Sequence, residues 1–279
     1  MSKLLIVDGS NLLFQMFFGM PSRIVGKNGM PVQGVLGFVG ALLKILQITN
    51  PTHVAVFFDG ECQNARRDLD ADYKANRPDY SNVSEEENPF SQLPYIQAAL
   101  ELLQIPYAET TDCEADDWIA AYARQMPTDE LVISSFDSDF FQLITDRVSV
   151  LRYRGDHTAI LTPASIFEKF GIFPTQYADF KALVGDTADN IRGVPGVGPK
   201  TAAQLLGQFD TLQEVVDHAE QIKRASVRAA VQKNTERLLK NRRLILLEGE
   251  RPLPFSMETL AYTETALTTG QILRAIGAL

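Results

Sequence analysis

Three apolar runs that each end on an aspartate constrain the fold of this chain most. The runs are Leu4–Asp8, Val54–Asp59 and Leu131–Asp137. Apolar or β-branched runs without polar alternation are typical of strands buried on both faces, and they predict a parallel sheet between helices. In such sheets the ligand site lies outside the carboxyl ends of the strands. The three aspartates therefore predict one acidic pocket.

Further carboxylates occur in short clusters. Glu114, Asp116 and Asp117 begin a predicted helix, where the helix dipole favours negative charge and capping alone accounts for one or two acids. Asp137 and Asp139 point to the same side of an extended chain, and Gly185–Asn190 adds two acids three residues apart. Each acid taken singly has a turn or cap role as its alternative. The pattern recurs in five segments, which favours a metal site. The expected metal ligands are Asp8, Asp59, Glu114, Asp116, Asp117, Asp137, Asp139, Asp186 and Asp189.

The number of these carboxylates indicates how many ions they bind. Crowded carboxylates at neutral pH are protonated, well separated or neutralised by cations. Hard oxygen ligands favour Mg²⁺ or Mn²⁺, and one magnesium ion usually takes one or two carboxylates plus waters. We therefore expect two ions. A pair about 3.5–4 Å apart is the usual device for in-line phosphoryl displacement.

Composition indicates the cellular setting. The 279 residues suffice for one large domain or a domain with a smaller companion. Cys62 and Cys113 have no metal-binding spacing, which favours a reducing cytosol over a disulfide framework. Asp8 interrupts the first apolar run too early for a signal peptide, and the apolar stretch at residues 35–48 contains Lys44 and is too short to span a bilayer. We expect a soluble, cytoplasmic protein without a membrane partner.

The net charge of −9 taken alone argues against a nucleic-acid partner. The distribution of charge reverses that argument. Residues 181–243 contain eleven Lys or Arg and seven Asp or Glu, so this stretch carries +4. Much of the acidity elsewhere belongs to the predicted pocket and would be offset by bound metal.

The order of predicted elements favours a doubly wound α/β layer followed by helices. Residues 35–48, 94–103 and 114–126 have helical spacing, and strands alternate with helices. Residues 62–94 are polar and weakly periodic, which is typical of a functional loop or a mobile insertion. After residue 174 only helices are predicted, up to about residue 248. The tail at residues 251–279 has a short helical pattern.

A glycine-rich segment precedes a predicted helix that starts near Ala202. The segment Gly193–Thr201 exposes backbone N–H groups beside a helix N-terminus, which suits a phosphate. A Walker A loop needs glycine immediately before Lys200, where Pro199 stands. A helix–hairpin–helix that holds a nucleic-acid backbone fits better. A Gly/Pro turn between packed helices is the structural alternative.

Tyr73, Lys74 and Arg77 combine an aromatic face with two cations at helical spacing. This combination suits stacking on a base with a contact to its phosphate. A solvated charged helix is the alternative.

Together these residues resemble the 5′-nuclease superfamily, which includes bacterial and phage 5′→3′ exonucleases, the 5′-nuclease domain of DNA polymerase I and flap endonucleases. The resemblance runs from Lys3 to about Leu247. The matching motifs, in order, are Ile6–Leu12, Phe57–Asp59, Arg66 with Tyr73–Arg77, Glu114–Asp117, Asp137–Asp139 and Gly185–Asn190 leading into Gly196–Thr201. No polymerase domain follows, so a stand-alone member is expected.

The resemblance implies a PIN-like α/β fold with a mainly parallel sheet and a helical arch at residues 62–94. It implies a catalytic domain at residues 1–174, a helix–three-turn–helix subdomain at 175–250 and a C-terminal extension at 251–279. Lys74 and Arg77 match arch cations that contact the scissile phosphate, and Tyr73 matches an aromatic near the unpaired end. The glycine hairpin matches an element that grips duplex DNA, with a potassium ion on its carbonyls. The expected DNA-binding residues are Arg66, Tyr73, Gly196, Val197, Gly198, Lys200 and Thr201, and the expected potassium carbonyls are those of Val194 and Val197.

Two positions depart from the family pattern. Gln15 stands where the family commonly has arginine, and Arg192 stands where it commonly has proline. Losing an arginine weakens phosphate binding, and Arg192 restores some of that charge. All nine carboxylate positions are filled, so the resemblance implies an active enzyme.

The resulting hypothesis is a divalent-metal-dependent 5′→3′ exonuclease and structure-specific flap endonuclease. It would hydrolyse DNA near junctions of single strand and duplex, including 5′ flaps and nicks, through metal-activated water. Primer removal or repair would be its setting, and a monomer is expected. The rivals are a haloacid-dehalogenase-like phosphatase, whose second acid would fall at Ser10, a weakly catalytic junction-binding protein and a PIN-type ribonuclease.

Overall fold

A six-stranded sheet organises the part of the chain that the computed structural model describes, residues 1–20, 23–27, 29, 31–60, 65–80 and 82–279. Its strands are β1 (Lys3–Asp8), β2 (His53–Phe58), β3 (Tyr107–Glu109), β4 (Glu130–Ser134), β5 (Val148–Arg152) and β6 (Ala159–Leu161). Their order is β3-β2-β1-β4-β5-β6, and β6 alone is antiparallel to its neighbour. The three apolar runs form β1, β2 and β4, as predicted.

The strand order creates a crevice at the carboxyl edge of the sheet. From β1, the chain proceeds to β2 and β3 on one side and then to β4 and β5 on the other. The connections that leave β1 and β4 therefore run in opposite directions across the sheet, which opens a crevice between these two strands. In α/β sheets, ligands bind in a crevice of this kind. The register places Asp8 level with Phe57, and Val7 level with Ser134. Residues just beyond these positions on β2 and β4 consequently surround Asp8.

Helices cover both faces of the sheet, as the apolar runs predict. The helices of the described residues are α1 (Gly9–Gly19), α2 (Gln33–Thr49), α3 (Ala65–Leu69), α4 (Leu93–Leu102), α5 (Ala115–Gln125), α6 (Pro163–Phe170), α7 (Tyr177–Val184), α8 (Pro199–Phe209), α9 (Leu212–Asp217), α10 (Ala225–Lys233), α11 (Thr235–Ile245) and α12 (Thr269–Ala275). Within the described ranges, none of these helices has the length and apolar character needed to cross a bilayer.

Alternate residues of β1 enter two separate cores. Leu5 and Val7 pack with buried residues of α2, α4 and α12, whereas Leu4 and Ile6 pack with α5 and with the helices that follow residue 174. A strand buried on both faces needs apolar residues at every position. The core that contains Leu4 and Ile6 continues into the helical region after residue 174. The domain boundaries at residues 174 and 250 stay predictions.

The insertion at residues 62–94 has less helix than expected. Cys62 and Ser81 lie outside the described residues. The described part contains α3, a 3₁₀ turn at Pro89–Gln92 and the start of α4. Turns occupy residues 71–76, and Lys74 has a φ of 56°. The helical spacing expected for Tyr73, Lys74 and Arg77 is therefore wrong, because the chain turns instead of continuing α3.

The C-terminal tail returns to the sheet. Val54 donates its N–H to the carbonyl of Leu260, and Tyr262 donates to that of Thr52, both at 2.9 Å. The helix α12 then buries Ile272 in the core beside α2. The tail therefore closes the amino end of β2 and covers one face of the sheet.

Candidate active site

Asp8 lies at the centre of the carboxyl edge, where β1 passes into α1. One of its oxygens accepts a hydrogen bond from the backbone N–H of Asn11 at 3.0 Å, which caps α1. The other accepts from the hydroxyl of Ser135 at 2.7 Å, because the sheet register brings Ser135 level with Asp8. Asn11 in turn accepts from the N–H of Phe136 at 3.0 Å. Sequence motifs alone did not identify Ser135 or Asn11 as site residues.

Three more carboxylates lie close enough to Asp8 or to one another for their charges to interact. They are Asp59, Asp116 and Asp137. Burial raises the pKa of Asp8 to about 7, and the charges of Asp59 and Asp137 add to the rise. Burial also raises the pKa of Asp116 well above its usual range, with Asp137 as the strongest of the neighbouring charges. We call Asp8, Asp59, Asp116 and Asp137 the first acidic group.

The backbone fixes the outer members of this group. Asp59 accepts a hydrogen bond from the N–H of Ala115 at 2.9 Å, which joins the end of β2 to the first turn of α5. Its own N–H donates to the hydroxyl of Ser10 at 2.9 Å. Asp137 accepts from the N–H of Asp139 at 2.8 Å, so it connects the first acidic group to a second.

Asp139, Asp186 and Asp189 form this second acidic group. Each can offer one oxygen so that the three oxygens lie within 4.8 Å of one another. Asp139 follows β4. Asp186 ends the short strand β7 (Gly185–Asp186), and Asp189 lies in the turn that leads to β8 (Ile191–Arg192). Burial raises the pKa of Asp139 to about 7, against the opposing charge of Lys181. Such a set of hard oxygen donors suits a divalent cation.

Lys181 is a site residue that sequence reasoning missed. Its ammonium contacts both Asp139 and Asp186 from the buried face of α7. Burial lowers its pKa, but the two carboxylates outweigh burial and raise it above the usual range. The available indication was a lysine on an otherwise largely apolar helix that leads directly into the acidic motif at Gly185–Asn190.

Glu114 and Asp117 have a different setting from the one expected of metal ligands. The guanidinium of Arg66 donates to Glu114 at 2.7 Å and to the two oxygens of Asp117 at 2.6 and 3.0 Å. Asp117 also accepts from the N–H of Glu248 at 2.9 Å. Both oxygens of Asp117 are therefore engaged by Arg66, and its role as a metal ligand stays a prediction. Arg66, expected to bind DNA, is buried in this ion pair.

The side chain of Tyr73 is buried. Its hydroxyl lies 3.2 Å from an oxygen of Glu114, to which it donates, and only 3% of the residue is exposed. Burial, followed by the charge of Glu114, raises the pKa of this phenol. The ring packs in the core in this conformation, and the stacking of a base on Tyr73 stays a prediction.

Lys74 and Arg77 reach the carboxylates, and their contact with a scissile phosphate stays a prediction. Lys74 contacts Glu114, and Arg77 lies 2.9 Å from an oxygen of Asp189. Burial opposes the charged form of Lys74, but the carboxylates of Glu114, Asp116 and Asp189 together outweigh it, so the pKa of Lys74 is raised. For Glu114, burial alone would raise the pKa, but Lys74 and Arg66 hold it below its usual range. These cations therefore remain charged at the edge of the acidic pocket.

Backbone and amide contacts hold the segment that carries these cations. Lys74 donates its N–H to the carbonyl of Asp189 at 3.0 Å, and Asn76 donates to that of Thr187 at 3.0 Å. Asn190 donates back to the carbonyl of Asp72 at 2.8 Å. The segment at residues 72–77 is thus fixed directly on the loop that carries two carboxylates of the second acidic group.

The glycine hairpin forms a tight turn, as predicted. The carbonyl of Val194 accepts from the N–H of Val197 at 3.0 Å, and Gly196 has a φ of 80°, which favours glycine. Gly198 precedes α8, with Lys200 exposed in its first turn. Contacts of Gly196, Gly198, Lys200 and Thr201 with DNA, and of the Val194 and Val197 carbonyls with potassium, stay predictions.

The two departures from the family pattern occupy different environments. The amide of Gln15 donates to the carbonyl of Tyr153 at 2.8 Å, which fixes its side chain to the chain beyond β5. The side chain of Arg192 is exposed, and its carbonyl accepts from Asn241 at 2.9 Å. Arg192 is thus available to a ligand, whereas Gln15 has a structural contact.

Comparison with known proteins identifies the family. The model of the 5′-3′ exonuclease N-terminal resolvase-like domain matches residues 3–171, and that of the 5′-3′ exonuclease C-terminal SAM fold matches residues 172–267. This chain belongs to the 5′-3′ exonuclease family. Membership of this family argues against the phosphatase alternative. That alternative needs an acid at position 10, where Ser10 accepts a hydrogen bond from the backbone N–H of Asp59.

Curated relatives of this exonuclease-family chain include bacterial DNA polymerases I. That of Rhizobium leguminosarum is 35% identical over 266 residues, which cover 92% of this chain and 26% of the relative. That of Bacillus subtilis strain 168 is 33% identical over 264 residues, 93% of this chain and 29% of the relative. The chain therefore spans less than a third of the length of these polymerases.

Solved structures share the exonuclease fold. The bacteriophage T5 D15 flap endonuclease, solved as a pseudo-enzyme-product complex with DNA and metal ions, matches with a TM-score of 0.70 and 25% identity over 87% of this chain and 88% of that one. The catalytic core of Rad2 in complex with DNA matches with a TM-score of 0.61 and 16% identity, covering 99% of this chain and 84% of that one. The Rad2 match supports the fold alone.

Proposed function

We propose that this chain is a divalent-metal-dependent 5′→3′ exonuclease and 5′-flap endonuclease that hydrolyses DNA phosphodiesters where single strand meets duplex. The observation that carries the proposal is the convergence of two linked acidic groups with two cations at one edge of the sheet. Family membership supports the reaction class.

The two acidic groups fit a pair of Mg²⁺ or Mn²⁺ ions. The second group brings three carboxylate oxygens within 4.8 Å, and the first keeps carboxylates together despite mutual repulsion. Asp8, Asp116 and Asp137 would hold one ion, with Asp59 beside them. Asp139, Asp186 and Asp189 would hold the other. Bound divalent ions supply Lewis acidity at the phosphate and lower the pKa of water.

The residues of the chain would orient and neutralise the substrate. In our proposal, Lys74 and Arg77 exchange their contacts with Glu114 and Asp189 for the scissile phosphate, where they stabilise developing negative charge. Ser135 holds Asp8 in place through its hydroxyl. Asp117 acts through Arg66, which positions Glu114.

The glycine hairpin would hold the duplex beside the cut. Its exposed glycines allow a close approach of the DNA backbone, and the N-terminus of α8 favours a phosphate. A potassium ion on the carbonyls of Val194 and Val197 belongs to this proposal. Action as a monomer in the bacterial cytosol, in primer removal and repair, stays a prediction.

Cleavage of labelled 5′-flap DNA in Mg²⁺ or Mn²⁺ tests the proposal. The wild-type protein should cut at the junction and should fail to cut in EDTA. Asp137→Asn keeps the side-chain shape and should lower the rate at least ~100-fold, because it removes a charge from the first acidic group at the point where that group joins the second. Asp146→Asn, an exposed position outside the site, is the matched control and should cut at the wild-type rate.

The rival functions give different outcomes in the same assay. Tight flap binding without cleavage in either metal would support a junction-binding protein. Faster cutting of an RNA flap than of the DNA flap would support a ribonuclease. Cleavage that survives Asp137→Asn would refute the proposed site.

A further inference from the structure

A strongly basic stretch lies outside the glycine hairpin and the acidic pocket. The stretch from Lys223 to Arg243 contains eight Lys or Arg and a single acid, Glu236, in a chain whose net charge is −9. It covers α10 and α11 and the residues that join them to α9. A charge density of this sign, concentrated in one stretch of an acidic protein, is the electrostatic pattern of a polyanion-binding surface.

Most of these cations are not used to hold the fold. Lys240 pairs with Asp70 at 2.7 Å, Arg242 with Asp179 at 2.6 Å, and Arg228 donates to the carbonyl of Ile222. The remaining five are exposed and have no carboxylate within ion-pair distance among the residues that the structure describes. They are Lys223, Arg224, Lys233, Arg237 and Arg243.

On α11 the cations form one face. Arg237, Lys240 and Arg243 are successive i, i+3 neighbours and therefore lie on the same side of the helix. The adjacent side of the helix buries Leu238, Asn241 and Leu244. We call Arg237 and Arg243, with Lys240 between them, the basic face of α11.

The basic face lies beside the active site. Asn241 ties α11 to the carbonyl of Arg192, directly before the glycine hairpin, at 2.9 Å. At the C-terminal end of the helix, Arg66 donates to the carbonyl of Leu246 at 3.4 Å while it holds Glu114 and Asp117. Lys240, in the middle of the basic face, pairs with Asp70 at 2.7 Å, so this face borders the segment between Arg66 and Lys74 and is within reach of DNA bound at the pocket.

We propose that the basic face of α11 binds the sugar-phosphate backbone of the duplex next to the cut, as a contact separate from the glycine hairpin. This inference rests on the proposed nuclease function. Residues 223–245 contain no aromatic side chain, so the surface has nothing on which unpaired bases could stack. Duplex DNA carries the denser phosphate charge and needs only cations to hold it.

Salt-dependent binding measures this contact. The double variant Arg237→Ala/Arg243→Ala is compared with Lys44→Ala/Arg274→Ala, which removes the same charge from exposed positions on α2 and α12. All proteins carry Asp137→Asn, so that the DNA stays intact in Mg²⁺. Dissociation constants for a 25-base-pair duplex and a 25-nucleotide single strand are measured by fluorescence anisotropy at several salt concentrations. Melting temperatures are checked first.

The α11 double variant is expected to bind duplex DNA with a weaker salt dependence, and its binding of single-stranded DNA should be unchanged. The slope of log K against log salt should become less steep by about 1.8 for the α11 variant, since each lost phosphate contact contributes about 0.9. The control variant should keep the parent slope. Equal slopes in all three proteins, or a change confined to the single strand, would overturn the proposal. Flap cleavage by the wild-type protein, measured in parallel, tests the nuclease function independently. A charge reversal, Arg237→Glu/Arg243→Glu, should enlarge the effect.

Discussion

Replacing Arg66 with methionine tests whether the buried ion pairs beneath the site are structural. Arg66 is 8% exposed and donates to Glu114 and to both oxygens of Asp117. Methionine preserves much of the apolar stem but removes the charge. If Arg66 instead bound DNA directly, the variant would lose affinity for DNA without losing stability.

The structure sets the size of the expected loss. Breaking a buried ion pair by removing one partner costs about 3–5 kcal/mol, because the remaining charge is left uncompensated. Glu114 keeps Lys74 as a partner, and Asp117 keeps the N–H of Glu248, so the lower end applies. At about 2–4 °C per kcal/mol for a chain of this size, ~3 kcal/mol corresponds to a drop in melting temperature of roughly 6–12 °C.

Urea denaturation followed by circular dichroism measures this loss, with Arg67→Met as the matched control. Arg67 lies on the same short helix, but it is exposed and has no carboxylate partner within the described ranges, so its replacement should change stability by less than about 0.5 kcal/mol. Adding Asp117→Asn to Arg66→Met should recover part of the loss, since it removes the uncompensated charge.

The pH dependence of the loss has a definite sign. The cations hold the pKa of Glu114 below its usual range, so its stabilisation is present above the unfolded pKa and is lost as pH falls through the folded pKa. The difference between wild type and Arg66→Met should therefore shrink below pH ~4.5, the region where unfolded glutamate takes up its proton. A variant that melts with the wild-type protein at pH 7 but binds flap DNA weakly would refute the structural role.

Two further predictions concern the acidic pocket. Burial raises the pKa of Asp8 and Asp139 to about 7, so in EDTA these groups stabilise the fold most below pH ~4, and that contribution should be lost as pH rises to about 7. Mg²⁺ should accordingly raise the melting temperature more at pH 8 than at pH 6 in differential scanning fluorimetry, and the reverse order would contradict the metal assignment. Lys74→Met should lower the single-turnover rate of flap cleavage by about 10²–10³-fold, whereas Lys27→Met, an exposed lysine elsewhere, should leave it unchanged. Equal rates in the two variants would show that Lys74 does not touch the phosphate.

The central strands could be predicted because both of their faces are buried. β1, β2 and β4 are apolar at nearly every position, and their lengths of 6, 6 and 5 residues are typical of buried strands and too short for most helices. The edge strand β3 has only three residues, none of them buried, and β6 is similar, so neither has a usable pattern. Helix α1 was also missed, because its own apolar residues are distributed around the helix without a clear helical period.

The meeting of the carboxylates could be predicted from the strand ends, whereas their partners could not. Ion pairs such as Arg66 with Glu114 join residues 48 positions apart, and no local pattern marks them. Four protein cations neutralise part of the charge that we assigned to metal alone, namely Arg66, Lys74, Arg77 and Lys181. The burial of Tyr73 depends likewise on a turn at Lys74 that helical spacing did not indicate.

The return of the C-terminal tail has a consequence for how the protein can be divided. Leu260 and Tyr262 hydrogen-bond with the backbone at the start of β2, and α12 covers the face of the sheet opposite the later helices. The last residues of the chain are therefore part of the same packed unit as the first strands. A protein shortened after residue 250 would lose the cover of one face of its sheet, even with all of its carboxylates present. Any attempt to graft the catalytic half alone onto another protein should therefore carry residues 251–279 with it.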